Sequence, residues 1–128
     1  MSESTDFYIN KAFSLLEDSR ILLDASRFES SVSRSYYAMF HATKAILETI
    51  SISSHTHVGV NVAFNKHFVK TGLMDLKYAK ILKKGEIQRM IGDYEIGRGV
   101  NQKDATEMFS MAEEYLNVIK NYIEKNSI

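Results

Sequence analysis

One segment, Ser33-Arg34-Ser35-Tyr36-Tyr37-Ala38-Met39-Phe40-His41-Ala42-Thr43-Lys44-Ala45-Ile46-Leu47, limits the fold more than any other, because a helix sorts its residues cleanly by chemistry. At about 100° per residue, Val32, Tyr36, Met39, Phe40, Thr43, Ile46, Leu47 and Ile50 gather on one side. Arg34, Tyr37, His41, Lys44 and Glu48 form a stripe on the other. Ala38, Ala42 and Ala45 make a small-residue seam between the two, where a neighbouring helix can approach closely. The segment is therefore expected at the centre of a helical bundle, with a polar stripe at an accessible edge.

The rest of the chain offers nothing that breaks such a bundle. Proline is absent from all 128 residues, so no helix is forcibly interrupted. Ser4 or Thr5 is placed to cap a first helix running to about Asp24, with Phe7, Ala12, Leu15, Leu16, Ser19, Leu22 and Leu23 inward. Ser26-Arg27-Phe28-Glu29 has the Ser-x-x-Glu spacing of a capping box, which starts a second helix from about Arg27 to Ile50. The short link makes these two helices antiparallel neighbours. Thr56 caps a third, shorter helix to about Lys70, ended by Thr71-Gly72. Asp75 caps a fourth to about Ile91, with Leu76, Ala79, Leu82, Ile87, Met90 and Ile91 as its apolar contacts and Gly85 as a weak point. Gly92 to Gly99 reads as a loop. Asn101 caps the last helix, in which Ala105, Met108, Phe109, Ala112, Leu116, Ile119 and Ile123 recur at steps of three and four. The expectation is one all-α domain over residues 1–128: an antiparallel up-and-down bundle of four long helices plus one shorter helix.

Composition removes several function classes. Sixteen basic and sixteen acidic residues cancel, which excludes broad, charge-driven coating of nucleic acid but leaves room for a local basic patch. Zero cysteine excludes a disulfide framework and thiolate metal sites. No apolar run approaches the roughly 18 residues of a membrane span, and the N-terminus lacks the basic and apolar regions of a signal peptide, so a cytoplasmic protein without membrane contact is expected.

The polar stripe is the strongest candidate for chemistry. Arg34 and His41, seven residues apart, project from one face of one helix, roughly 10 Å apart along its axis. Neutral histidine can take a proton from a ribose 2′-hydroxyl while arginine holds the phosphate, and no metal is needed. The plainer reading of the spacing is that Arg34 salt-bridges an acid of the bundle and His41 is a hydrogen-bonded packing residue. Tyr36 falls on the apolar face and reads as core. Tyr37 lies between Arg34 and His41 and can orient a phosphate or stack on a base, and Lys44 extends the stripe. Arg89 and Asp93 are an i, i+4 pair beside Tyr94: either an ordinary ion pair with a loop-pinning tyrosine, or a second wall of the site. Lys77, Lys80 and Lys84 share one side of the fourth helix and read as phosphate-attracting or simply solvated. His55, His57 and His67 lack the spacing of any metal motif, so no metal or other cofactor is expected.

The segment from Ser33 to Ala42 resembles the signature helix of the HEPN family (higher eukaryotes and prokaryotes nucleotide-binding), in particular its compact stand-alone members. Lys11-Ala12 with its leucine-rich helix, Thr56-His57-Val58-Gly59, Gly92-Asp93-Tyr94 and the spaced Ala105 and Ala112 extend that resemblance over nearly the whole chain. The resemblance implies a small helical bundle. Many HEPN proteins are metal-independent ribonucleases with an Arg-x4–6-His motif, often toxins neutralised by a small nucleotidyltransferase-type antitoxin; others bind nucleotides without cutting RNA. Arg34-x6-His41 falls at the upper limit of that spacing. The reading that follows is a homodimer in a nucleotidyltransferase-linked, toxin–antitoxin-like module. It binds nucleotide or single-stranded RNA phosphates through Arg34, Tyr37, His41 and Lys44, with Arg89, Asp93 and Tyr94 secondary. The alternatives are a ribonuclease using Arg34 and His41, or a non-catalytic interaction protein.

Overall fold

A computed structural model describes residues 2–94 and 99–126, with the side chains of all of these except Asp93 and Tyr94. The chain forms α1 (Glu3–Asp24), α2 (Phe28–Glu48), α3 (His57–Phe64), which continues into a π-helical turn at Asn65–Val69, α4 (Leu76–Tyr94) and α5 (Gln102–Lys125). There is no strand among the described residues. The four long helices make an antiparallel bundle, with α3 as the shorter extra helix. No described helix is long and apolar enough to cross a membrane.

Twelve of the 21 residues of α2 are buried, more than a single inward face supplies, and α2 packs against α1, α3, α4 and α5. Its alanine seam is fully buried, so Ala38, Ala42 and Ala45 admit neighbouring backbones as their size requires. The α1–α2 contact also contains a hydroxyl cluster. Ser19 Oγ donates to the Ser31 carbonyl (2.9 Å) and lies 2.6 Å from Ser35 Oγ, while Ser31 Oγ donates to the Ser19 carbonyl (2.9 Å). All three serines have zero exposure, and their mutual bonds remove the penalty of burying them. Across the bundle, Thr43 Oγ1 and Tyr115 Oη are 2.6 Å apart, tying α2 to α5.

Several boundaries depart from expectation. Ser2, not Ser4 or Thr5, caps α1: its hydroxyl accepts from the Thr5 N–H, and Thr5 itself is buried. Ser26 does not form a capping box. It adopts a left-handed conformation (φ 60°) and closes α1, with its N–H on the Leu23 carbonyl and that of Arg27 on the Leu22 carbonyl, the paired bonds of a Schellman motif. α2 consequently starts at Phe28 with no side-chain cap. It ends before Ile50, where Ser51 (φ 59°) closes it in the same manner. A serine in this conformation carries the strain that glycine avoids, so Ser26→Gly is expected to raise stability by about 0.5–1 kcal/mol in urea unfolding.

Thr56 and Asn101 cap α3 and α5 as expected, Asn101 within a reciprocal capping box with Asp104. α4 extends through Gly92, Asp93 and Tyr94, against the loop expected there. Gly92 serves packing instead of a turn, since a Cβ there would lie 3.4 Å from Val100 Cγ2 and 3.6 Å from Glu29 Cβ. Residues 95–98 of the expected loop lie outside the described residues. Phe7, Ile50, Leu76, Ile87 and Met90 are exposed rather than core, because α4 turns Leu82 and Gly85 inward and α1 turns Phe7 outward.

Candidate functional site

The outward stripe of α2 meets α3 and α4 at a cluster of rings. Tyr36 is fully buried, and its hydroxyl lies 2.6 Å from His57 Nδ1. His57 owes its place to local sequence: Thr56 caps α3, and Gly59 keeps the turn tight, since a Cβ there would fall 2.2 Å from Ser54 Oγ and 2.8 Å from Thr56 Oγ1. The imidazole then packs 4.7 Å from the Phe40 ring and 6.1 Å from that of Tyr37. From α4, the Arg89 guanidinium sits over both tyrosines, 5.6 Å from the Tyr36 ring and 5.5 Å from the Tyr37 ring. Glu86, one turn earlier on α4, accepts from Asn61 Nδ2 at 3.0 Å and joins α4 to α3.

Two tautomers follow from these contacts. Burial, reinforced by the Glu86 charge, pushes the Tyr36 phenol well above its ordinary range, so it stays protonated. His57 Nδ1 is its one hydrogen-bond partner among the described residues, so the phenol donates to it and the imidazole proton resides on Nε2. That Nε2–H has no bond within the described chain and is not sealed from water. His41 is arranged the opposite way. Its Nδ1–H donates to the Tyr37 carbonyl (2.9 Å), which leaves Nε2 as a lone pair that also reaches solvent. Burial holds the His41 pKa below 6.5, against the pull of the carbonyl bond, and the charges of Lys44 and Lys11 add to the lowering. His41 is thus neutral at pH 7 with a free basic nitrogen, while His57 presents a donor, and Phe40 lies between them with centroids 5.8 and 4.7 Å away.

The structure brings together only some of the residues singled out from sequence. Tyr37 and Arg89 are brought together, with Tyr36 and His57 as additional members. His41 and Lys44 occupy the next turns of α2, where the Lys44 ammonium lies 4.6 Å from the Tyr8 ring centroid and 5.8 Å from that of Phe40. Arg34 is exposed, one turn before Tyr37, and forms no hydrogen bond or ion pair among the described residues. The side chains of Asp93 and Tyr94 lie outside the described residues. Lys77 is held by Glu114 at 2.6 Å, and the Tyr78 hydroxyl donates to the same carboxylate, so that lysine belongs to an α4–α5 link. Among the described residues, no three histidine or carboxylate side chains gather as a metal site would need. Sequence reasoning weighed His57 only as a metal ligand and missed its pairing with Tyr36, which is 21 positions away. The available signal was its position just after a capping threonine and two residues before glycine.

A model of the HEPN domain matches residues 5–122. A Thermotoga maritima protein named as a UPF0332 protein is 32% identical over 93% of this chain and 90% of its own length. A Methanocaldococcus jannaschii protein named "putative toxin" is 31% identical over 94% of this chain and 82% of its own. The crystal structure of TT1696 from Thermus thermophilus superposes with a TM-score of 0.74 at 15% identity, covering 94% of this chain and 99% of that one, a likeness of fold.

Proposed function

The chain belongs to the HEPN domain family, and we propose that it binds the phosphate of a nucleotide or of single-stranded RNA where α2, α3 and α4 meet. The observation that carries this is the convergence of a guanidinium and an imidazole ring on the same two tyrosine rings. Arg89 supplies positive charge and His57 Nε2–H a directed donor, while Tyr37 offers a ring for a base and Arg34 and Lys44 widen the electrostatic funnel along α2. A homodimer and a small nucleotidyltransferase-type partner belong to this reading, in the manner of a toxin–antitoxin pair. The names of two Methanocaldococcus relatives as putative toxins support that assignment.

A second reading rests on His41. A neutral histidine with Nδ1 committed to a carbonyl and Nε2 open is the form needed to take a proton from a ribose 2′-hydroxyl. Attack of that oxygen on the adjacent phosphorus expels the 5′-oxygen of the next nucleotide and leaves a 2′,3′-cyclic phosphate, with Arg89 or Arg34 stabilising the charge. Both readings are tested with one labelled single-stranded RNA in EDTA. Saturable binding is expected. If the chain is a nuclease, the cyclic-phosphate product accumulates with wild type and falls by about 10²-fold or more with His41→Ala. Binding without cleavage leaves the non-catalytic reading, and failure to bind nucleotide or RNA at any concentration sinks both.

A further inference from the structure

Beyond the Arg89–His57 cluster, the stripe of α2 leads to a second patch of rings and cations at the start of α1. Phe7 is 63% exposed, an unusual setting for a phenylalanine whose ring also braces its neighbour: Phe7 and Tyr8 meet edge to face at 5.4 Å. Tyr8 in turn lies 6.2 Å from the His41 ring, and the Lys44 ammonium is seated over its face at 4.6 Å. Lys11 stands close enough for its charge to act on His41. The cation–π contact fixes the position of a charge that a lysine on a free surface would leave mobile. An exposed ring beside a held cation matches the chemistry of a single nucleic-acid strand, whose bases stack and whose phosphates pair. Lys44 lies seven residues beyond Tyr37 on α2, about 10 Å along the axis. That is more than a single phosphate covers, and His41 and Phe40 occupy the interval.

We infer that the stripe is a track for a single strand of at least two nucleotides. Phe7 stacks a base and Lys44 holds a phosphate at a second station, and the first station is the Arg89–Tyr37–His57 cluster. The inference rests on the nucleotide-binding reading above and names its ligand class as an oligonucleotide over a mononucleotide.

The test compares the full chain's affinity for fluorescein-labelled hexauridylate with that for uridine 5′-monophosphate. Wild type is expected to bind the hexamer at least tenfold more tightly. Phe7→Ala, at an exposed position that folding does not depend on, is expected to weaken the hexamer about tenfold and leave the mononucleotide unchanged. Lys44→Gln should lower the slope of log K against log salt for the hexamer by about 0.7. Hexamer affinity that survives Phe7→Ala overturns the track, and if Arg89→Met still weakens the mononucleotide, the reading beneath it stands. Should Arg89→Met leave both ligands unaffected, the first station fails and the track with it. If Phe7→Ala instead halves the sedimenting mass without touching hexamer affinity, the patch docks a second copy of the chain and the track is wrong.

Discussion

Arg89→Met is expected to weaken binding of uridine 5′-monophosphate by about 10- to 100-fold, because a hydrogen bond to a charged group contributes about 1.5–3 kcal/mol. Methionine keeps an apolar stem against Tyr36 and Tyr37, so only the charge and the donors disappear. Each of the two cation–π interactions contributes about 0.5–1 kcal/mol at a partly exposed position, and a chain of this size tolerates their removal. Calorimetric titration reads the affinity, and urea unfolding checks that the fold persists. Arg89→Lys should fall between the two, since lysine restores the charge without the planar fork that grips two phosphate oxygens. Wild-type affinity in Arg89→Met would remove Arg89 from the site and the proposed function with it.

The division of labour between the two histidines gives that experiment its context. His41 offers a lone pair and His57 an N–H, and each role is set by what holds the other nitrogen: a backbone carbonyl for one, a buried phenol for the other. Neither assignment was legible in the sequence. A histidine at i+4 from a tyrosine implies a shared helix face, but whether its ring folds back on the Tyr37 carbonyl depends on the room left by Tyr8 and Phe40. The phenol–imidazole pair depends on α3 lying across α2, which periodicity within either helix does not encode. By contrast, Tyr37 and Arg89 could be nominated from sequence, since each sits on a polar stripe next to apolar neighbours, and the structure sets them 5.5 Å apart.

The fold was more readable, for physical reasons that also explain the errors. α5 buries every position its three-and-four spacing selected, because a helix at the side of a bundle has one inward face and the pattern records it. α2 buries more, and its alanines and serines gave it away only partly: Ser31 and Ser35 count as polar in any pattern, yet both are sealed by hydroxyl bonds to Ser19. The Ser26 error has a definite cause. Ser-x-x-Glu describes the chemistry of a helix start, but with three residues between helices Ser26 is already engaged in ending α1, and the Schellman bonds prevail. In α4 the apolar residues follow no single face. The residue that sets its packing is a glycine, which hydrophobic patterning cannot detect.

Gly85→Leu is therefore expected to be among the most damaging single substitutions in the chain, costing about 3 kcal/mol in urea unfolding with little change in m-value. Leucine favours a helix over glycine by roughly 1 kcal/mol, so local propensity predicts the opposite sign. The steric cost prevails because the position is buried and even a first carbon would lie 2.6 Å from Met39 Cε, 3.2 Å from Tyr36 Cδ1 and 3.5 Å from Met108 Sδ. Met39 and Tyr36 have zero exposure and Met108 1%, so none can swing into water. The nearest atom is the end of a flexible chain, and this supplies a check. Gly85→Ala should cost measurably in the wild type and become neutral or stabilising in a Met39→Ala background, where the space opens and the helix preference remains. Equal effects of Gly85→Ala in both backgrounds would show that α4 does not seat on Met39. The leucine variant should also lose nucleotide affinity out of proportion to its residual fold, because displacing Tyr36 releases the phenol that holds His57 and shifts the ring beneath Arg89. Helix packing at Gly85 and ligand binding at Arg89, one helical turn apart on α4, are two consequences of the same close approach to α2.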